Sequence, residues 1–135
     1  MRYLLDTNIC IYIIKRRPKE VLRRFREVET GDIGISSVTL SELYFGAAKS
    51  AFPKENRLAL ESFVMPLGIQ AYDAPAAAAY GEVRADLERK GTPIGSMDLL
   101  IAAHAISLRA VLVTNNTREF RRVRGLSVDN WCPSR

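Results

Sequence analysis

The sequence contains a single histidine, His104, and only two cysteines, Cys10 and Cys132, near opposite ends. With one imidazole, a histidine-based metal site or acid–base pair is excluded, and the two thiols form no metal-ligand spacing. Isolated cysteines of this kind suit reduced thiols, so a cytoplasmic location is expected. No apolar run approaches the roughly 20 residues that cross a bilayer, and no signal peptide opens the sequence. A glycine-rich loop ending in Gly-Lys-Ser/Thr is missing, which removes the P-loop nucleotide binders. Gly91-Thr92-Pro93-Ile94-Gly95 lacks the lysine and follows a helical stretch. Internal repeats, linkers and low-complexity segments are also absent. The 135 residues are expected to form one domain (1–135), long enough to bury a core without staples.

What is present is the composition of an ordinary globular protein, 47% hydrophobic and 26% charged. The net charge is +5, from 20 Lys and Arg against 15 Asp and Glu. The excess is clustered in Lys15-Arg16-Arg17, in Arg23-Arg24 with Arg26, and in Arg118, Arg121, Arg122 and Arg124. Such clusters suggest a polyanionic partner, nucleic acid first, and on charge alone this reading stands level with a merely solvated basic surface. Arg16, Arg17, Arg23, Arg24, Arg121 and Arg122 are the candidate phosphate contacts.

Tyr3-Leu4-Leu5 is an apolar run that stops at Asp6, and Thr7-Asn8 precede a second apolar segment, Ile9 to Lys15. This predicts a buried strand ending at Asp6 and a helix capped by Thr7 or Asn8. Pro18 opens a helix with Val21, Leu22, Phe25 and Val28 at helical spacing, ended by Gly31. Residues 32–36 form a second strand, weakened by Gly34. Ser37 starts a helix with an apolar face of Leu40, Leu43, Tyr44 and Ala47. Residues 54–65 predict a further helix burying Leu58, Leu60, Phe63 and Val64, and 67–72 a third strand. Asp73 and Pro75 start a helix that runs to Gly91. Ser96 is the expected cap of the next helix, apolar nearly all round and so central, with Asp98 in its first turn. Residues 110–114 give the fourth strand, followed by Asn115-Asn116 and a short basic helix through Glu119 and Phe120. Residues 127–129 add a marginal fifth. Strands alternating with helices predict a three-layer α/β/α domain around a mainly parallel sheet of four to five strands.

In such a sheet Asp6 and Glu42 lie on the edge formed by the strands' carboxyl ends, where ligands gather. The helix bearing Asp98 leads into the fourth strand, runs antiparallel to it, and returns Asp98 to that edge. Each acid has a plainer reading. Asp6 serves as a helix cap, Glu42 closes the capping box Thr39-Leu40-Ser41-Glu42, and Asp98 complements its helix dipole. Three at one edge of a basic chain point instead to a hard divalent cation, since clustered carboxylates repel unless one neutralises them. A Mg²⁺ held there polarises a phosphodiester and activates water without any histidine. His104, about 120° round the helix from Asp98, reads as a packing residue.

Four motifs, in order and at their spacing, resemble the PIN-domain ribonucleases, and within them the VapC-type toxins of bacterial toxin–antitoxin pairs. They are Leu4-Leu5-Asp6-Thr7-Asn8; residues 36–43 with Gly46-Ala47; Gly91 to Gly95 through Asp98 with Ile101-Ala102-Ala103-His104-Ala105; and Val113-Thr114-Asn115-Asn116 with Glu119-Phe120. The resemblance implies a Mg²⁺- or Mn²⁺-dependent endoribonuclease with Asp6, Glu42 and Asp98 at the acidic metal positions. At Asn116 many relatives carry a fourth aspartate. An amide oxygen there can ligate without charge, and Glu119 supplies the missing carboxylate, so one firmly bound ion is expected. Thr7 and Thr114, with Asn8 and Asn115, fall in supporting positions. A homodimer is implied, inhibited by a small DNA-binding antitoxin of the VapB type and assembling with it on operator DNA. The Gly-Thr-Pro loop, Thr-Asn-Asn motif and Trp-Cys tail resemble the group that cuts initiator tRNA in the anticodon region.

Two alternatives compete. A haloacid-dehalogenase-like phosphatase also begins with an apolar strand and an aspartate, but it needs a second aspartate where Asn8 stands. A PIN-like scaffold that binds RNA or protein without cutting is compatible with Asn116, whereas retention of all three acids favours catalysis.

Overall fold

A computed structural model describes residues 1–132. Five short strands form one sheet: β1 (Tyr3–Leu5), β2 (Ile33–Ser36), β3 (Gly68–Gln70), β4 (Val111–Val113) and β5 (Val128–Asp129). Their order is β3-β2-β1-β4-β5 and every neighbouring pair is parallel, with Tyr3 beside both Ile33 and Val111. The helices are α1 (Thr7–Ile14), α2 (Lys19–Glu27), α3 (Ser37–Ala48), α4 (Pro53–Val64), α5 (Ala74–Lys90), α6 (Ser96–Leu108) and α7 (Thr117–Phe120).

Alternate residues of each strand feed two separate cores. Tyr3, Leu5, Ile33, Ile35 and Val113 pack with Ile9, Val21, Leu43 and Leu60 from α1 to α4. Leu4 and Leu112 point the other way, into Leu87, Leu99, Ile101 and Phe120. Burial on both faces is why the central strands read as unbroken apolar runs. The expected three-layer parallel architecture is the one observed. Among the described residues, no helix is long and apolar enough to cross a membrane.

Five local expectations are corrected. Helix α1 begins at Thr7, and its cap is Asp6, whose carboxylate accepts the Ile9 N–H at 2.9 Å. Helix α3 is capped by Ser36, which accepts the Val38 N–H at 3.0 Å; Thr39 and Glu42 lie inside the helix and form no capping box. Gly95, not Ser96, caps α6, with no side-chain bond to the helix start. Leu58 is 66% exposed, because it lies two residues and hence about 200° from the buried Leu60. Gly34 is a requirement of β2 rather than a weakness. A Cβ there would sit 3.0 Å from the Gly68 carbonyl oxygen of the neighbouring strand.

The strand order reverses at β1. The chain moves from β1 outward through β2 to β3, then returns to β4 on the other side. A crevice opens at such a switch point, beyond the carboxyl ends of the strands. Asp6 directly follows β1, and its N–H donates to the Val113 carbonyl of β4 at 3.0 Å.

Candidate active site

Asp6 is 4% exposed, and both its oxygens are engaged. Oδ1 accepts the Ile9 N–H, while Oδ2 accepts the hydroxyl of Thr114, which is fully buried just beyond β4. The sequence posed cap and ligand as alternatives. In the structure the cap uses one oxygen, and the other faces the end of β4.

Glu42 reaches the same edge from α3. Its Oε1 accepts the Thr7 hydroxyl at 2.6 Å, and the buried Thr39 hydroxyl lies 3.4 Å from Thr7 Oγ1. Asp98 enters from the first turn of α6, half-buried, and faces the carboxylate of Glu119. Glu119 is held in turn by Asn116, whose Nδ2 donates to Oε2 at 2.9 Å. The Asn116 N–H donates to Thr114 Oγ1 at 3.0 Å, so one threonine ties the Asn-Asn turn to Asp6. Asn115 donates to the Tyr12 hydroxyl at 2.9 Å. Asn8 is exposed in the first turn of α1 and contributes its backbone N–H near Asp6.

Burial and neighbouring charge raise the proton affinity of Asp6 and Asp98. Burial pushes Asp6 up to about 6, with the charge of Glu42 adding to it against the bonds from Thr114 and Ile9. Asp98 also rises to about 6, first through burial, then through the facing Glu119, then through Asp6 and Glu42. The ion pairs among the described residues lie elsewhere: Arg24–Asp129, Arg57–Glu61, Arg84–Glu88 and Lys90–Asp86. None neutralises this edge. Nor do three of these carboxylates, among the described residues, close on a common point as a preformed metal cage. The arrangement is an open cluster of mutually repelling acids, the donor chemistry of a hard cation that keeps some of its waters.

The basic candidates divide. Arg16 and Arg17 follow the far end of α1, about 12 Å along its axis from Asp6. Arg24 is occupied by Asp129 at 3.2 Å and lies over the Trp131 ring, while Arg23 is exposed. Arg121 is exposed just after α7, close in sequence to Glu119. Arg122 donates to the Pro93 carbonyl at 3.2 Å and braces the loop ahead of Asp98.

Three participants escaped sequence reasoning: Thr39, Tyr12 and Ser36. Ser36 Oγ lies 2.8 Å from Nδ1 of His104, which is fully buried as expected and also hydrogen-bonded. The only signal in the sequence was polarity at positions whose neighbours are apolar, and it named no partner.

Comparison with known proteins agrees with this geometry. Residues 3–126 match the PIN domain family. The tRNA(fMet)-specific endonuclease VapC of Shigella flexneri is 48% identical over 131 residues, spanning 97% of this chain and 98% of its own. Ribonuclease VapC2 of Haemophilus influenzae is 47% identical over 131 residues, with the same shares. Among solved structures, the DNA-bound VapBC of Salmonella typhimurium superposes with a TM-score of 0.93 at 45% identity, covering 98% of this chain and 99% of that one. FitAcB from Neisseria gonorrhoeae superposes at 0.85 with 27% identity, covering 96% and 97%. Sequence and fold together place this chain in the PIN-domain family, among its VapC ribonucleases.

Proposed function

We propose that this protein is a Mg²⁺-dependent endoribonuclease, with Mn²⁺ able to substitute, acting as the toxin of a toxin–antitoxin pair. It hydrolyses phosphodiester bonds of RNA, with the anticodon stem-loop of initiator tRNA as its target, and so inhibits translation. The observation that carries this reading is the meeting of Asp6, Glu42, Asp98 and Glu119 at one edge with no basic partner among the described residues. Asp6 and Asp98 would hold the cation, with Glu42 and Glu119 completing the acidic surround. When bound, the ion supplies charge neutralisation at the phosphoryl oxygens and a more acidic water.

The chain's own part is orientation. Thr7 fixes the Glu42 carboxylate, Thr114 fixes Asp6, and Asn116 fixes Glu119. Asn116 acts as a donor that aims a carboxylate, in place of a fourth charge at that position. Asp98, facing Glu119, can hold a proton up to about pH 6 and release it at neutral pH. Arg118 and Arg121, both exposed and flanking Glu119 in sequence, are candidate contacts for the RNA backbone. Single-stranded loops with splayed bases suit a shallow acidic edge flanked by arginines.

The tRNA target rests on the Shigella and Salmonella relatives, both named tRNA(fMet)-specific endonucleases. The antitoxin rests on the VapBC complexes, two of them solved on DNA. A groove of about 330 Å³, lined by Ile11, Ile14, Leu43 and Leu60 with Lys15 and Glu42 among its polar groups, suits an amphipathic antitoxin tail. A homodimer that joins its antitoxin on operator DNA completes the proposal.

The test is cleavage of a total tRNA pool with Mg²⁺, comparing wild type with Asp98→Asn and mapping the new 5′ ends. One cut site, lost in the variant and with EDTA, is the expected result. Metal-dependent RNA binding with no cut site would favour the scaffold reading instead.

A further inference from the structure

Glu42 and Asp98 reach the site on different helices, and no direct contact between the two side chains fixes their spacing. A buried joint lies behind them. His104 is six residues beyond Asp98 on α6, and Ser36 is six residues before Glu42, at the cap of α3. Both are 0% exposed, and His104 Nδ1 lies 2.8 Å from Ser36 Oγ. The serine oxygen already accepts the Val38 N–H, which leaves its own hydrogen free for the imidazole.

A third element enters the same joint. The Tyr72 N–H donates to Ser37 Oγ at 3.0 Å, and the Tyr72 ring meets the His104 ring edge-on at 5.5 Å. The first turn of α3 is therefore pinned from two directions, by α6 through Ser36 and by the segment after β3 through Ser37. Pinning the origin of a helix from two sides fixes both its position and its rotation, and Glu42 projects from the second turn.

The imidazole supplies more than bulk here. Its Nε2 makes no hydrogen bond of good geometry, but the backbone carbonyl of Ala71, next to Tyr72, favours a proton on the ring. A phenylalanine would pack against Tyr72 and offer Ser36 no partner. What histidine adds between α6 and the start of α3 is the bond to Ser36.

We propose that His104 is a positioning residue: through Ser36 it ties α6 to the start of α3 and so sets the gap between Asp98 and Glu42. The inference rests on the nuclease reading above and extends it to two residues that touch neither substrate nor metal.

The test uses His104→Phe, His104→Asn and Ser36→Ala in the full chain, with melting temperature, cleavage kinetics and Mn²⁺ affinity by electron paramagnetic resonance. His104→Phe is expected to stay folded and melt close to the wild-type temperature yet lose roughly tenfold in kcat, since small misplacements are costly in catalysis. KM for RNA should stay within about twofold, and Mn²⁺ should bind roughly tenfold more weakly. His104→Asn places an amide near the Nδ1 position. It should melt lower, through lost packing, yet recover most of kcat. Ser36→Ala should lose kcat like His104→Phe, and the double variant should be no worse than either alone, as for two ends of one interaction.

A folded His104→Phe with unchanged kcat and Mn²⁺ affinity overturns the proposal. So does a set of variants in which activity simply follows melting temperature. A wild type that neither cuts RNA nor binds Mn²⁺ refutes the nuclease reading itself, and the positioning role falls with it.

Discussion

On the outer faces of α4 and α5, Glu61, Asp86 and Glu88 each sit one turn from a basic partner: Arg57 at 3.7 Å, Lys90 at 2.8 Å and Arg84 at 3.0 Å. At the carboxyl edge of the sheet, Asp6, Glu42, Asp98 and Glu119 have hydroxyls, amides and one another. The chain has 20 basic residues to distribute, and none is paired with these four among the described residues. Surface pairs of the first kind contribute little to stability, being solvated and screened. In the second group Asp6 and Asp98 work against the fold, because burial and neighbouring carboxylates disfavour the ionised state that neutral pH imposes. Those acids on the helix surfaces are paired, and the four at the sheet edge are those that the proposed cation would neutralise.

The contrast sharpens most where chemistry and stability part company. Asp98→Asn should reduce RNA cleavage by on the order of 10³-fold, the scale of losing one aligned electrostatic group. Its melting temperature at neutral pH should not fall, because one repelling charge is gone. A variant that loses both activity and fold would collapse the distinction between the two kinds of acid.

Next in size is an ordinary core deletion. Leu112→Ala, on the fully buried central strand β4, should cost about 3 kcal/mol in denaturant unfolding. Unlike the site acids, it should cost the same with and without Mg²⁺.

Asp6→Asn should have a smaller effect of opposite sign. The folded carboxyl titrates near 6 and the free one near 3.8, so the native state holds the proton more tightly between those values. Stability linked to Asp6 is highest at low pH, falls as pH rises from about 4 to 6, and stays reduced above. Asparagine retains an oxygen for the Ile9 N–H and removes the charge. The variant should gain on the order of 2 kcal/mol at pH 7.5 and nothing near pH 4. Thermal melts across that range check the sign. Mg²⁺ should raise the melting temperature of wild type at pH 7.5 and not that of the variant, as ligand linkage requires.

The smallest effect is expected on the paired side. Lys90→Gln removes an exposed i,i+4 partner and should move the melting temperature by no more than about a degree.

Which features were legible in the sequence follows from how locally they are encoded. Leu4-Leu5-Asp6 announced a strand end because a strand covered on both faces must be apolar throughout, and an acid cannot continue it. Asp98 could be assigned to the site because a helix that precedes a parallel strand must start at that strand's carboxyl edge. Two readings of the α1 cap stand side by side in the sequence, and the structure bears out Asp6 rather than Thr7 or Asn8; all three are competent caps and only backbone angles choose among them. Leu58 was misread because hydrophobicity alone does not say which side of a helix faces in. The Ser36–His104 bond spans 68 residues, and no local pattern signals it. The same holds for the Asn116 amide, whose Nδ2 rather than Oδ1 turns toward Glu119.

Strand order also governs when the acidic edge comes into being. β1 is laid down first but sits in the centre, so its second neighbour, β4, arrives more than a hundred residues later. A growing chain holds Asp6 and Glu42 long before Asp98 and Glu119 exist, and no partial product carries the complete set. The hydroxyl that fixes Asp6 comes with β4 as well. If the proposed substrate is right, order of synthesis alone would keep the edge incomplete until the segment from Asp98 to β5 has been made.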